Sequence, residues 1–374
     1  MDILILTGKF GMGHWAASQS LRQQLLKRFP DAAVTVEDFP AYVMPNASGA
    51  LYKFFHLAVT RGSFFFNTYY KLTAQGHADA RAPLEGLFLD KLAELLEQQR
   101  PDAVIATHPL CAQIVSRLKE EALQKEHCYL DLPLFTCITD VSSHPEWINR
   151  NTDCYLVPNR EVKSSLEEKG VLPARICVTG IPVREEFRSL SRGGAGLKRS
   201  RQGSVELLVM GGGWGLLPSN EVFYETLDGI PDTHTTIITG CNEKLRRHLE
   251  GRWQNIEVLG YVDRVWEYLE KSDMIVTKPG GITLFESIFA QVPIYSWHPT
   301  LCQECNNAQW IVDKGIGWVA GAGQEECAKE IGEILMDEKR LARAAARMNR
   351  VKQELEVDAV SHLMAAIAGS QEAA

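Results

Sequence analysis

The chain lacks an excess of positive charge, and this removes one large class of functions. Its 39 lysines and arginines are outnumbered by 47 aspartates and glutamates, and the formal net charge is −8 at pH 7. A nucleic-acid-binding domain normally carries a basic patch that contacts the phosphate backbone. We therefore expect no nucleic-acid partner.

Long hydrophobic runs and paired cysteines are missing as well. No apolar stretch reaches the about 20 residues of a membrane-spanning helix, and the start of the sequence shows no signal peptide. The nine cysteines are scattered and odd in number, which is typical of reduced thiols in the cytosol. Cys302 and Cys305 form a lone CxxC with no second ligand pair, so we predict neither a metal site nor a redox site there. These absences indicate a cytoplasmic protein.

Two common phosphate-binding motifs are also absent. The glycine turn Gly211-Gly212-Gly213-Trp214-Gly215 follows an apolar run, but it lacks the Lys-Ser/Thr pair of a Walker loop. It also lacks the GxGxxG spacing of dinucleotide-binding enzymes. Neither an ATPase nor a dinucleotide-dependent enzyme is therefore predicted.

What the chain does have is the same alternation of strands and helices, twice. Apolar strands alternate with amphipathic helices over residues 1–188, and the pattern restarts over 205–354. Residues 189–204 between them are polar, glycine-rich and basic, which indicates a linker. We place a C-terminal helix at 355–374 against the N-terminal domain. The alternation predicts an α/β protein with two doubly wound, Rossmann-like domains that face each other across a cleft.

The segment from Thr277 to Glu286 is the most informative of the second half. It ends an apolar strand, turns at Gly280 and Gly281, and opens a helix with Thr283 in its first turn. Free backbone N–H groups and partial positive charge at a helix N-terminus suit a phosphate. Glu286 lies one turn further, where a carboxylate can accept hydrogen bonds from a sugar. The alternative is a capping box between Thr283 and Glu286.

Candidate acid–base groups lie at strand ends of the first half. Gly13 and His14 end the first loop just before a helix, where the histidine is either a general base or a helix-start hydrogen bonder. Asp140 directly follows an apolar strand and could share a polar pocket with His144, or cap the next turn. His108 occupies the matching position after another strand, where it could simply end that strand before Pro109.

A further polar segment follows the strand near Pro293 to Trp297. It contains Gln303, Glu304 and Asn307, whose amides and carboxylate could hold sugar hydroxyls. A solvated loop is the alternative.

Together these segments resemble the lipid-glycosylating branch of glycosyltransferase family 28, which includes monogalactosyldiacylglycerol synthases and bacterial diacylglycerol glucosyltransferases. The resemblance implies the two-domain GT-B fold, also found in the more distant lipid II-forming N-acetylglucosaminyltransferase. The matching stretches follow one another along nearly the whole chain: Gly11 to His14, Thr139 to Trp147, Gly180 to Val183, Gly211 to Gly215, Thr277 to Glu286 and Gln303 to Ala308.

The resemblance implies a UDP-sugar donor held by the C-terminal domain. Its diphosphate would lie on the helix start, its ribose on the carboxylate, and its sugar near the later polar segment. The donor residues implied are Gly211, Gly212, Gly213, Gly215, Gly280, Gly281, Ile282, Thr283, Glu286, Gln303, Glu304 and Asn307.

On the acceptor side the resemblance implies His14 and Asp140 as catalytic residues, and either could be the base. Gly13, His108, His144 and Trp147 would bind the acceptor. Such enzymes invert the anomeric centre without a metal ion, so we expect no cofactor besides the UDP-sugar substrate.

The segment 50–72 is unusually aromatic. It holds eight aromatic residues, with Lys53, Arg61 and Lys71 interleaved. This composition suits a segment that lies in the membrane interface, with basic groups near anionic headgroups. A pair of core helices is the alternative.

The sequence thus predicts an inverting hexosyltransferase that moves a hexose from a UDP-sugar to a lipid, with diacylglycerol as the expected acceptor. We expect it to act as a peripheral protein on the inner face of the cell membrane. The alternatives are a UDP-sugar epimerase of GT-B fold, a cell-wall precursor N-acetylglucosaminyltransferase and a non-catalytic nucleotide-sugar sensor.

Overall fold

The computed structural model describes residues 1–61, 67–68, 84–125, 131–190, 204–218, 220–299, 301–321, 324–361, 364 and 367, with side chains at these positions except 59–61, 123–125, 303 and 324–325. Most of the expected linker and much of the aromatic segment, including Phe64 to Phe66, Tyr69 and Tyr70, lie outside the described residues. The chain divides into two compact units. The first is Met1–Glu185 with Leu301–Gln303 and the described residues from Leu355 onward, and the second is Glu186–Thr300 with Glu304–Glu354.

Six parallel strands form the sheet of the N-terminal unit. They are β1 (Asp2–Thr7), β2 (Ala33–Asp38), β3 (Ala103–Ala106), β4 (Leu134–Cys137), β5 (Cys154–Val157) and β6 (Ile176–Val178). Their order across the sheet is β2-β1-β3-β4-β5-β6. The three strands β3, β4 and β5 are buried along their whole length, as expected for parallel strands whose side chains are apolar on both faces.

Helices pack on both faces of this sheet. Successive residues of β1 alternate between two cores, because side chains of a strand point to opposite faces in turn. Leu4 packs in one core with Leu92, and Ile5 packs in the other with Leu21. The helices described here are Met12–Arg28, Phe39–Val43, Ser48–Arg61, Glu85–Gln99, Pro109–Lys125 and Arg160–Glu168, with 3₁₀ turns at Pro145–Trp147 and Pro173–Arg175.

The second unit repeats this architecture. Its strands are β7 (Val205–Met210), β8 (Thr233–Ile238), β9 (Ile256–Leu259), β10 (Met274–Thr277), β11 (Ile294–Ser296) and β12 (Gly317–Val319). They are parallel in the order β12-β11-β10-β7-β8-β9. After the short helix Glu185–Arg188, the helices described are Glu221–Asp228, Glu243–Leu249, Val265–Lys271, Gly281–Ala290, Cys302–Lys314, Gln324–Leu335 and Glu338–Gln353. The prediction of two α/β domains with parallel sheets is confirmed.

The end of the chain completes the N-terminal unit. Val360 and Met364 are buried in the same core as Ile5. The backbone N–H of Glu356 donates to the Val178 carbonyl oxygen at 2.7 Å, and the Val178 N–H donates to Glu356 Oε1 at 3.1 Å. These bonds attach the returning chain to β6, the edge strand of the first sheet.

Each sheet contains one position where the strand order reverses. In the first sheet it lies between β1 and β3, and in the second between β7 and β10. The loops that follow two such strands leave in opposite directions, so a crevice opens at the carboxyl ends of the strands. The loops after β1, β3, β7 and β10 are therefore the places where each unit can bind a ligand.

The glycine turn after β7 packs directly against the turn after β8. Gly212 and Gly215 have φ values of +69° and +62°, in the left-handed region that favours glycine. A Cβ on Gly215 would lie 1.9 Å from the Thr239 carbonyl oxygen. Cys241 N–H donates to the Gly213 carbonyl oxygen at 2.9 Å, which joins the two turns. The turn therefore has no room for a side chain at Gly215.

Two helices begin earlier than the sequence predicts. The first begins at Met12, so Gly13 and His14 lie in its first turn and not in a loop before it. The helix Cys302–Lys314 includes Gln303, Glu304 and Asn307, so the solvated-loop alternative is wrong. In both cases polar or glycine residues in the first turn conceal the helix start from hydrophobic periodicity.

The capping-box alternative for Thr283 is also wrong. The N-cap of the helix Gly281–Ala290 is Gly280, and no side chain of the described residues caps it. Thr283 is already the third helical residue. The backbone N–H groups of Gly281, Ile282 and Thr283 therefore have no hydrogen-bond acceptor within the helix.

We expect Gly215→Ala to lower the free energy of unfolding far more than Gly251→Ala. Gly251 also has a positive φ (+72°), but a Cβ there would meet no heavy atom within 4 Å. Gly251→Ala should therefore cost only the left-handed backbone penalty, about 1 kcal/mol. Gly215→Ala must in addition displace the Thr239 carbonyl, for a total of about 3 kcal/mol or more. Urea unfolding of the two variants measures the difference, and equal losses would contradict the packing described.

Candidate functional site

In the N-terminal unit the imidazole of His14 is held by the ends of two other strands. Its Nδ1 lies 2.9 Å from the carbonyl oxygen of Thr107, which follows β3. The same nitrogen lies 2.8 Å from Oγ1 of Thr139, which follows β4. The Thr107 hydroxyl also donates to the His14 carbonyl oxygen at 3.3 Å. The ends of two strands of one sheet therefore fix the position of this ring.

The partner of Nδ1 decides which tautomer is present. A carbonyl oxygen can only accept a hydrogen bond, so the Nδ1 of His14 carries the proton and donates it to Thr107. In the neutral ring the lone pair is then on Nε2. His14 can accept a proton at Nε2 while the bond at Nδ1 keeps its orientation.

A set of rings surrounds His14. Its ring centroid lies 4.7 Å from that of His108 and 6.2 Å from that of Trp147. The Phe10 ring contacts His108 on its other side, with centroids 5.1 Å apart. Nδ1 of His108 accepts a hydrogen bond from the Leu110 N–H at 3.2 Å. The structure thus brings together His14, His108 and Trp147, three residues that the sequence assigns to the acceptor side.

Burial lowers the pKa of both histidines. For His14 loss of solvation outweighs the opposing effects of the Asp140 carboxylate and of the Thr107 hydrogen bond, so its pKa falls below the usual value. For His108 loss of solvation, with a smaller contribution from His14, brings the pKa well below the usual range. Both rings are therefore neutral at neutral pH, as a proton acceptor must be.

Asp140 and His144 differ in their surroundings. Asp140 is buried, with 9% of its surface exposed, and its charge acts directly on His14. His144 is buried as well, but its Nδ1 accepts a hydrogen bond from the Glu146 N–H at 3.4 Å and caps the turn Pro145–Trp147. The structure therefore shows an electrostatic link to His14 for Asp140 and a capping bond for His144.

In the second unit the start of the helix Gly281–Ala290 presents one partly exposed face. Ile282, Thr283 and Glu286 lie on this face, while the rest of the helix is buried. The free N–H groups of its first turn and the dipole of the helix make this end electropositive. Glu286 lies one turn along the same face, at the position expected for a group that binds a sugar hydroxyl.

The glycine turn after β7 lies beside the strand end that leads into this helix. A Cβ on Gly212 would lie 3.2 Å from Cε of Lys278, so the lysine stem runs directly over the glycine. Gly211 is equally constrained, because a Cβ there would lie 2.4 Å from the Leu216 nitrogen. Gly213 and Gly215 complete the turn, in which Gly212 and Gly213 are partly exposed and Gly211 and Gly215 are buried.

Two residues of the helix Cys302–Lys314 contact the same strand end. The side-chain Nδ2 of Asn307, which is 1% exposed, donates to the Pro279 carbonyl oxygen at 2.8 Å. Glu304 accepts a hydrogen bond from Lys278, with Nζ and Oε1 2.9 Å apart. The side chain of Gln303 lies outside the described residues.

The structure adds residues that sequence reasoning missed. Thr107 and Thr139 orient His14, and Lys278 contacts both the glycine turn and Glu304. Thr107 and Lys278 directly follow a buried strand, and Thr139 is the second residue after one. A search for every polar residue at the carboxyl end of a predicted strand would have found them.

Two family models match the two halves of the chain. Residues 14–183 match the family described as monogalactosyldiacylglycerol (MGDG) synthase. Residues 206–362 match the glycosyltransferase family 28 C-terminal domain. The first match lies within the first unit, and the second match covers most of the second unit and the beginning of the returning segment that starts at Leu355.

A curated relative aligns over most of the chain. The processive diacylglycerol beta-glucosyltransferase of Staphylococcus carnosus is 28% identical over 358 residues, which cover 94% of this chain and 88% of the relative.

Solved structures share the architecture at low sequence identity. The spinosyn rhamnosyltransferase SpnG superposes with a TM-score of 0.60 at 14% identity, covering 97% of this chain and all of that one. HepE of Anabaena, solved in complex with UDP-glucose, gives a TM-score of 0.54 at 14% identity with full coverage of both chains. At this identity the likeness shows the fold alone, and that fold is GT-B. With an N-terminal half that matches the MGDG synthase family and a C-terminal half that matches family 28, the chain is a glycosyltransferase of the family 28 type.

Proposed function

We propose that the protein transfers a hexose from a UDP-sugar to the free hydroxyl of diacylglycerol at a membrane surface, with inversion and without a metal ion. The observation that carries this proposal is the orientation of His14, whose neutral ring keeps Nε2 available as a proton acceptor. The name of the Staphylococcus carnosus relative supports diacylglycerol as the acceptor. The UDP-glucose complex of HepE, which has the same fold, supports a UDP-sugar as the donor.

In this reaction His14 is the base and Asp140 acts through it. Nε2 takes the proton of the acceptor hydroxyl as its oxygen attacks the anomeric carbon of the sugar. The bond from that carbon to the diphosphate oxygen breaks, and UDP leaves with the electron pair. Asp140 stabilises the imidazolium that forms, because its negative charge raises the pKa of His14. A single displacement of this kind inverts the anomeric centre.

The second unit stabilises the leaving group. Negative charge develops on the diphosphate as the bond to the sugar breaks, and the N–H groups of Gly281, Ile282 and Thr283 can donate to it. Glu286 would hold the ribose on the same helix face. The glycine turn Gly211–Gly215 lets the backbone come close to the nucleotide.

The helix Ser48–Arg61 would bring the acceptor from the membrane to His14. Phe54 and Leu57 are 70% and 49% exposed, and Lys53 is exposed beside them. Tyr52 and Phe55, on the opposite face, pack against Phe10 with ring centroids 5.1 and 5.3 Å apart. No helix in the described ranges is both long and apolar enough to cross a bilayer. An exposed apolar stripe with a basic neighbour suits the interface of an anionic membrane, and we place it on the inner face.

We expect the purified protein to release UDP and form a glycolipid when a UDP-hexose is mixed with diacylglycerol in anionic vesicles. A comparison of UDP-glucose, UDP-galactose and UDP-N-acetylglucosamine identifies the donor. NMR of the anomeric proton of the product shows whether the configuration at the anomeric carbon is inverted. Activity in excess EDTA tests metal independence. Formation of an epimeric UDP-sugar without lipid would instead indicate an epimerase. UDP binding without turnover on any acceptor would contradict an enzymatic role.

His14→Ala should lower kcat by about 100- to 10,000-fold, the usual contribution of a general base. UDP affinity should not change, because the donor residues belong to the other unit. His248→Ala is the matched control, since His248 lies on an exposed helix face and pairs with Glu221. An unchanged kcat in a folded His14→Ala protein would assign the base to another residue.

The pH profile should report the lowered pKa of His14. A base is active when neutral, so kcat/KM should fall only below pH 6.5, the usual histidine value. Asp140→Asn removes a charge that raises this pKa, so the acid limb should move to still lower pH while the maximal rate falls. A limb that moves to higher pH in Asp140→Asn would contradict the assignment of roles.

A further inference from the structure

Lys278 and Glu304 form an ion pair at the donor end of the second sheet. Nζ of Lys278 lies 2.9 Å from Oε1 of Glu304, and the two side chains are 34% and 14% exposed. Lys278 follows β10 directly, and Glu304 lies in the first turn of the helix Cys302–Lys314. The pair therefore joins two segments that reach the same strand ends.

The stem of Lys278 lies between the two backbone elements that suit a phosphate. A Cβ on Gly212, in the glycine turn, would lie 3.2 Å from the lysine Cε. A Cβ on Gly280, the N-cap of the next helix, would lie 3.8 Å from the same atom. An ammonium group so close to a glycine turn and a helix N-terminus is well placed for a diphosphate.

We propose that Lys278 exchanges Glu304 for the diphosphate when a UDP-sugar binds, and that the released Glu304 carboxylate then accepts hydrogen bonds from the sugar. This inference rests on the proposed function, since it assumes a UDP-sugar at this end of the sheet. It assigns to Lys278 the recognition of the diphosphate, and to Glu304 the preference for UDP-sugar over UDP.

The charges favour this exchange. A partly exposed ion pair is weak, because solvent screens it and both side chains lose rotamer freedom. A diphosphate carries more negative charge than one carboxylate and meets the N–H groups of the helix start at the same time. The interaction of Lys278 with the diphosphate is therefore more favourable than its interaction with Glu304. Glu304 then lacks its cation, and the hydroxyls of the donor sugar are donors that can replace it.

Calorimetric titration of the full chain with UDP, UDP-glucose, UDP-galactose and uridine tests the exchange. Lys278→Gln should weaken binding of UDP and UDP-sugars alike by about 10- to 100-fold, the usual effect of losing a charged hydrogen bond. Uridine binding should not change, because uridine has no phosphate. Lys271→Gln, at the exposed end of the helix Val265–Lys271, is the matched control.

Glu304→Gln should change the affinity for UDP in the opposite direction. Without the competing carboxylate, UDP should bind about two- to fivefold more tightly, the usual strength of an exposed ion pair. The preference for the UDP-sugar over UDP should fall by about tenfold. In the double variant Lys278→Gln/Glu304→Gln the gain in UDP affinity should disappear. Glu257→Gln is the control for loss of a surface carboxylate.

The outcomes separate this inference from the proposed function. Wild-type protein that binds neither UDP nor any UDP-sugar would overturn the proposed function. Wild-type binding with unchanged UDP affinity in Lys278→Gln would overturn the role of Lys278 alone. Weaker UDP binding in Glu304→Gln would show that Glu304 holds Lys278 in position and would overturn the exchange. Urea unfolding midpoints equal to wild type confirm that each variant is folded.

Discussion

A parallel strand buried on both faces favours polar side chains at its ends. The residues of β3 and β5 and the first three residues of β10 are apolar and buried, so the charged and hydroxyl groups of these segments lie where the strand passes into a helix or turn. Thr107 and Thr139 hold His14 from two such ends, and Lys278 lies at a third. The chemistry of each unit follows from this one constraint on where polar atoms can be placed.

The two units meet that constraint with different physical means. In the N-terminal unit a partly buried neutral ring has its proton fixed by a backbone carbonyl, so its second nitrogen can accept a proton. In the second unit backbone N–H groups and a glycine turn offer fixed partial charges, which need no change of protonation to meet an anion. A reaction that moves a proton to one group and negative charge to another uses both kinds of site.

Much of the fold could be predicted from the sequence, because long apolar runs identify strands such as β1, β7 and β10 and periodic helices follow them. The strands β6 and β12, of three residues each, were missed because so short a run shows no periodicity. The start of the helix at Met12 was missed because Gly11 caps it without a side chain. His14 and the Gly280 turn could be found from local pattern. The positions of Thr107 and Lys278 at strand ends could be found in the same way, but their contacts with His14 and Glu304 could not, since these contacts depend on which strands are neighbours.

The return of the chain to its first sheet has a consequence for biosynthesis. Val360 and Met364 fill a core whose other members, among them Ile5 and Phe135, are made hundreds of residues earlier. The chain leaves the ribosome with its N-terminus first. The first unit therefore lacks part of its core until the last residues are synthesised, whereas the second unit has all of its strands earlier and can already fold. The half that carries His14 is thus completed last, although it is synthesised first. A chain that ends before Val360 therefore leaves the N-terminal unit with an open core.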